Sequence, residues 1–177
     1  MLQEGDIVLV RKVGGFRILS DLLLWWQNSK VASHVGVITD ATTLEIFDAR
    51  MFQKSKLIGL QEFFDGKHNI TILRYNPELT QDQKKKIVGY LKSHVSVKYD
   101  NSSIWSLIIN RDTEDSSKLN CAESTLLAYH AADLLTKRKI EYILPHTLWE
   151  YYTVDRFTLI KQLSKPTDIK EFVDGDD

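Results

Sequence analysis

Asn120-Cys121-Ala122-Glu123-Ser124-Thr125-Leu126-Leu127 and, far upstream, Ser33-His34-Val35-Gly36-Val37-Ile38 are the stretches on which fold and chemistry turn. The first opens a helix with Cys121, the only cysteine in the chain. The second is an apolar strand led by a histidine. A thiol is mostly protonated at neutral pH, and the thiolate is the nucleophile. The partial positive charge of a helix N-terminus stabilises that anion, and a nearby imidazolium stabilises it further. Cys121 meets the first condition by its place in the helix. His34 meets the second only if the fold brings strand and helix tip together. The competing reading is a small buried hydrophobe at position 121 and a structural histidine at 34.

Four other histidines compete for the base role. His68, in Gly-Lys-His-Asn, and His94, late in a charged helix, read as exposed. His130 lies along the Cys121 helix, too far from its tip. His146, following Pro145, is the strongest rival.

The chain has 177 residues, 43% of them apolar, and a formal net charge of −1. That is enough apolar material for one core, so the expectation is a single domain over residues 1–177 with a frayed tail at about 165–177. The charge balance gives no global attraction to nucleic acid, and Lys84-Lys85-Lys86 and Lys137-Arg138-Lys139 read as solvated helix faces or ends. A single cysteine forms no intramolecular disulfide, which fits a reducing compartment. No secretion signal is visible ahead of Gly5-Asp6-Ile7-Val8-Leu9-Val10, and the run Leu22-Leu23-Leu24-Trp25-Trp26 falls far short of the roughly 20 residues of a membrane span. The expectation is a cytoplasmic protein without an integral membrane segment. The histidines and the cysteine lack zinc-site spacing, and there is no P-loop or dinucleotide fingerprint, so neither metal nor cofactor is expected.

Strands are expected at residues 7–10, 35–39, 44–49, 70–75 and 157–160, with a turn at 40–43 joining the second and third into a hairpin. Residues 57–64 read as a strand edge followed by a helical turn. Helices are expected at 16–27, from Thr80 with Gln83 at capping-box spacing, at 121–135 with Leu127, Ala131 and Leu134 or Leu135 inward, and from Pro145 to about 152. Residues 98–103 read as a turn, 104–109 as an apolar run of open type, and 111–118 as a loop. Mixed strands and helices with a hairpin indicate α+β.

The order of Gly5-Asp6-Ile7-Val8-Leu9-Val10, Ser33-His34-Val35-Gly36-Val37-Ile38, Phe47-Asp48-Ala49, Lys98-Tyr99-Asp100 and Asn120-Cys121-Ala122-Glu123 resembles the circularly permuted NlpC/P60 papain-like families of the YiiX/YaeF type, relatives of lecithin:retinol acyltransferase. The resemblance runs from residue 5 to about 130. In ordinary papain-like enzymes the cysteine precedes the histidine, whereas here the histidine comes first. The resemblance implies a small antiparallel sheet packed on helices, with Cys121 as nucleophile at a helix N-terminus and His34 as its base. A third polar residue, on the next strand, orients the imidazole. Members often show Glu-Ala there, and this chain has Asp48-Ala49, which makes Asp48 the candidate although it is one methylene shorter. Glu45, at odd spacing from Asp48, falls on the opposite face. Ala122-Glu123 stands where the family usually has Ser-Glu, so the backbone N–H of Ala122 is the oxyanion candidate. Tyr99 resembles a tyrosine that lies near the thiol in related enzymes.

The function expected is therefore a cysteine hydrolase that cleaves an amide in a small peptide or peptidoglycan-like fragment through a thioester. Two alternatives stand beside it. One is hydrolysis or transfer of a lipid acyl group, for which the paired tryptophans at 25 and 26 give some support, although the Leu22–Trp26 cluster reads first as core packing. The other is a catalytically silent module binding peptide or lipid in the same cleft.

Overall fold

The computed structural model describes residues 1–12, 34–50, 52–64, 68–99, 119–135 and 156–163. The expected helices at 16–27 and from Pro145, the Leu22–Trp26 cluster, the segments 104–109 and 111–118, His146 and the tail lie outside the described residues.

Among the described residues, six strands form one antiparallel sheet: β1 (Ile7–Lys12), β2 (His34–Asp40), β3 (Glu45–Asp48), β4 (Lys56–Gly59), β5 (His68–Tyr75) and β6 (Phe157–Leu163), in the order β4-β3-β2-β1-β5-β6. Three helices among the described residues accompany it: α1 (Leu60–Phe63), α2 (Gln81–Ser93) and α3 (Cys121–Ala131). The sheet is covered on both faces, which explains why the first four residues of β1, Ile7 to Val10, are all apolar and buried. Ile7 and Leu9 face a core shared with Ile87 and Leu91 of α2 and with Ala122, Leu126 and Tyr129 of α3. Val8 and Val10 face a second core with Ile38, Ile46, Leu60, Phe63 and Ile72.

The β2–β3 turn is set by Asp40, whose Oδ1 accepts the N–H groups of Thr42 at 2.8 Å and Thr43 at 3.0 Å. Thr80 and Gln83 form the expected capping box of α2, with Thr80 N–H donating to Gln83 Oε1 at 2.8 Å. Glu45 bonds Thr39 and pairs with Lys92 of α2, on the face away from Asp48, as the strand period requires.

The third helix departs from expectation. It ends at Ala131, and Asp133 takes a positive φ of 60°. Leu127 is only half-buried and Ala131 is exposed, whereas Leu126 and Tyr129 point inward. The cause is that α3 lies between the sheet and α2, so most of its circumference is buried and no single apolar stripe marks the inward side. Tyr129, fully buried, donates its hydroxyl to the carbonyl of Gly5 and packs against Tyr75 and Phe157 at ring-centroid distances of 5.7 and 5.4 Å. Burial, Asp6 and Tyr75 all push its phenol well above the usual value, so it remains a donor. Gly5 adopts φ 87°, and Asp6 beside it is clamped by Arg74 at 2.7 Å, which gives that turn a structural role.

Candidate active site

His34 is the first residue of β2 and Asp48 the last of β3, so antiparallel pairing brings them to the same end of the sheet. Asp48 pairs with Gly36, which puts His34 one diagonal step away on the same face. His34 Nε2 and Asp48 Oδ1 are 2.7 Å apart. Asp48 is fully buried. With Nε2 committed to a carboxylate, Nδ1 is the ring nitrogen that remains for the thiol.

Cys121 opens α3. The start of the helix is fixed by Asn120, whose Oδ1 accepts the Glu123 N–H at 2.8 Å while Glu123 Oε2 accepts the Asn120 N–H at 3.3 Å. This reciprocal box stops the helix one residue before the cysteine and leaves the sulfur in the field of the first turn. The groups that stabilise charge on the sulfur are the His34 imidazole, the Val35 N–H and the Tyr99 hydroxyl. The thiol is 5% exposed and the His34 side chain 19%. His34 thus stands at the sheet rim between Asp48 and the helix tip.

The electrostatics of the pair are reciprocal. Burial disfavours the imidazolium, but attraction to the Cys121 sulfur and hydrogen bonds to Asp48 and Cys121 outweigh it, raising His34 from 6.5 to about 9. Burial likewise disfavours the thiolate. The positive charge of His34 and hydrogen bonds from His34, Val35 and Tyr99 outweigh it and bring the thiol below its usual value. The arrangement favours a thiolate–imidazolium pair over two neutral groups.

Tyr99 is not in a turn. Its N–H donates to Gln53 O at 3.2 Å, it bridges in parallel to Leu119, and Lys98 bridges to Lys54. The segment is extended because it runs beside the entry to α3, and this carries the tyrosine to the sulfur. Ala122 follows the cysteine and is fully buried. Of the rival histidines, His94 stacks on Tyr90 at 4.1 Å, at the end of α2. His130 bonds the Leu135 carbonyl at 2.8 Å, at the far end of α3. His68 begins β5 rather than a turn.

Two neighbours were not anticipated from sequence. Arg50 Nε lies 2.7 Å from Asp48 Oδ2, an ion pair whose N–H direction falls outside hydrogen-bond geometry. Phe63 of α1 stacks on the His34 ring at 5.2 Å with an interplanar angle of 28°. Gly36 makes room for it, since a Cβ there would lie 2.9 Å from Phe63 Cε2 and 2.7 Å from Ile46 Cδ1. The lone arginine two residues after Asp48 was a visible signal for the first. Nothing in the sequence pointed to the second.

Comparison with known families agrees with this geometry. The model of a family described as permuted papain-like amidases, YaeF/YiiX, C92 family, matches residues 1–151. The chain belongs to this family. The fold is accordingly the permuted papain-like one, α+β, with the histidine strand ahead of the cysteine helix in sequence. The crystal structure of the metalloprotein YiiX from Escherichia coli O157:H7 superposes with a TM-score of 0.56 at 16% identity, covering 96% of this chain and 92% of that one. At that identity the likeness concerns the fold alone. No curated protein matches. Among the described residues, no group of three or more His, Cys, Asp or Glu side chains is placed to hold a metal ion. Nor is any helix among them long and apolar enough to cross a membrane.

Proposed function

We propose that this member of the amidase family is a cysteine amidase acting on a peptide or cell-wall-like peptide, with Cys121, His34 and Asp48 as its catalytic set. The observation that carries the reading is the His34 ring, bonded to a buried carboxylate through Nε2 at 2.7 Å and in contact with the only thiol of the chain.

In the proposed cycle the Cys121 thiolate attacks the scissile carbonyl. The oxyanion meets the N–H groups of Cys121 and Ala122, which belong to the first helical turn and have no intrahelical acceptor. The Glu123 and Ser124 N–H groups are already taken by Asn120. The Tyr99 hydroxyl, beside the sulfur, is a further donor to the same oxygen. His34 then passes its proton to the departing amine, leaving a thioester and a neutral imidazole. Water, deprotonated by His34, attacks the thioester; the C–S bond breaks, the acyl group leaves as the carboxylic acid, and the thiolate–imidazolium pair is restored. Asp48 holds Nε2–H throughout, which presents Nδ1 to the reacting atoms.

The test is alkylation by iodoacetamide between pH 5 and 9 in wild type, Cys121→Ala and His34→Ala, followed by incubation with a mixture of muropeptides and phospholipids read by mass spectrometry. Fast labelling near pH 6 that requires His34, with new amines released from muropeptides, is the expected result. An ordinary thiol profile in wild type would refute the catalytic reading, and free fatty acid in place of amines would redirect it to lipid chemistry.

A further inference from the structure

We propose that Arg50 is a positioning residue of this site, the permanent counter-charge of the buried Asp48 carboxylate, balancing its charge while the imidazole gains and loses its proton. The catalytic consequence rests on the function proposed above, whereas the electrostatic effect on His34 does not.

The two oxygens of Asp48 are divided between two cations. Oδ1 faces His34 Nε2 at 2.7 Å and Oδ2 faces Arg50 Nε at 2.7 Å. Arg50 is held in turn by Phe63. Its Nη2 donates to the Phe63 carbonyl at 3.4 Å, and its guanidinium carbon stands 5.9 Å from the centre of the Phe63 ring. That same ring stacks on His34 at 5.2 Å. Arg50, Asp48, His34 and Phe63 therefore close a circuit in which each side chain is braced by two others.

A buried carboxylate is costly unless it is paired. If His34 were its only cation, Asp48 would lose its partner's charge in each cycle when the proton leaves with the amine. A guanidinium keeps its charge across the working pH range, so it compensates Asp48 at the stage when the imidazole is neutral. Because the two cations share one carboxylate, each 2.7 Å from one of its oxygens, the guanidinium also opposes the imidazolium, which eases release of the proton.

The experiment is an NMR titration of His34 in wild type, Arg50→Gln and Arg50→Lys, with folding checked by thermal melting. Removing the cation removes repulsion from the imidazolium. Arg50→Gln is expected to raise the His34 midpoint above the wild-type value of about 9 by roughly half to one pH unit. Arg50→Lys, which keeps the charge, is expected to return it to within a few tenths of a unit of wild type. A midpoint unchanged or lowered in Arg50→Gln, or raised equally in both variants, overturns the proposal, because Arg50 would then contribute packing rather than charge. Should Arg50→Gln fail to fold, Arg50→Met, whose stem still covers Phe63, carries the same comparison. The titration needs neither substrate nor a reactive thiol. Its failure leaves the amidase reading standing, and an unreactive thiol leaves the assignment of Arg50 standing.

Discussion

Replacing Cys121 by alanine is expected to lower the titration midpoint of a residue that the substitution does not directly alter. His34 rises from 6.5 to about 9 in the folded protein, although burial works against it. That rise corresponds to roughly 3 kcal/mol of net preference for the imidazolium, at about 1.4 kcal/mol per pH unit. The opposing charge on sulfur is the largest favourable cause. A unit-charge pair about 4 Å apart is worth roughly 4 kcal/mol at an effective dielectric constant of about 20, so the thiolate alone is large enough to supply the effect. Without it, Asp48 still favours the imidazolium and burial still opposes it. The midpoint in Cys121→Ala is expected to fall by more than one pH unit, to roughly 7. Histidine-labelled protein followed by NMR from pH 5 to 10 measures this, with the His34 signal assigned through its loss in His34→Gln. Cys121→Ser refines the result, since it keeps a hydrogen-bonding partner but carries no charge, and should resemble alanine to within about half a unit. A midpoint above about 8.5 in both variants would refute the reasoning and assign the rise to Asp48 instead.

Three further outcomes follow from the same geometry. The Cys121 alkylation rate should rise with pH below the usual thiol range, because the thiol is lowered. Its dependence on His34 should disappear as pH passes about 9 and the imidazolium is lost; a His34→Ala profile identical to wild type at pH 6 would contradict this. Asn120→Ala removes the cap that fixes the start of the cysteine helix, and should cost about 1 kcal/mol in chemical denaturation and slow alkylation. Gly36→Ala would press a methyl group against Phe63 and the Phe47 carbonyl, both at 2.9 Å. A loss of about 1–3 kcal/mol is expected, with the His34 NMR signal displaced as the stacked ring moves; an unperturbed His34 signal would show that Phe63 does not depend on that gap. 

Much of the frame was legible from one sequence because its signals are local. The hairpin turn at Asp40, the capping box of Thr80 and Gln83, the short helix after the fourth strand and the strand leading to Asn76-Pro77 each depend on residues a few positions apart. The length and inward face of the cysteine helix are not legible in the sequence, for a physical reason. A helix buried on several sides loses the 3.6-residue contrast that marks a face, and only packing against the sheet and α2 shows that Leu126 and Tyr129 are inward. Segment 98–99 has the polar residues of a turn, whereas its extended form is imposed by bridges to Lys54 and Leu119.

The sequence by itself determined which groups were available: one thiol at a helix start, one histidine leading a strand, and an aspartate ending the next strand, in the order that marks a permuted papain-like chain. Tertiary structure alone decided that His34 reaches the sulfur, that Nε2 rather than Nδ1 takes Asp48, and that Arg50 and Phe63 enclose the site. The reason is that side-chain type and backbone period are encoded locally. The charge state of a buried thiol and imidazole depends instead on their mutual distance and their loss of water, and residues 34 and 121 acquire both only when strand and helix pack.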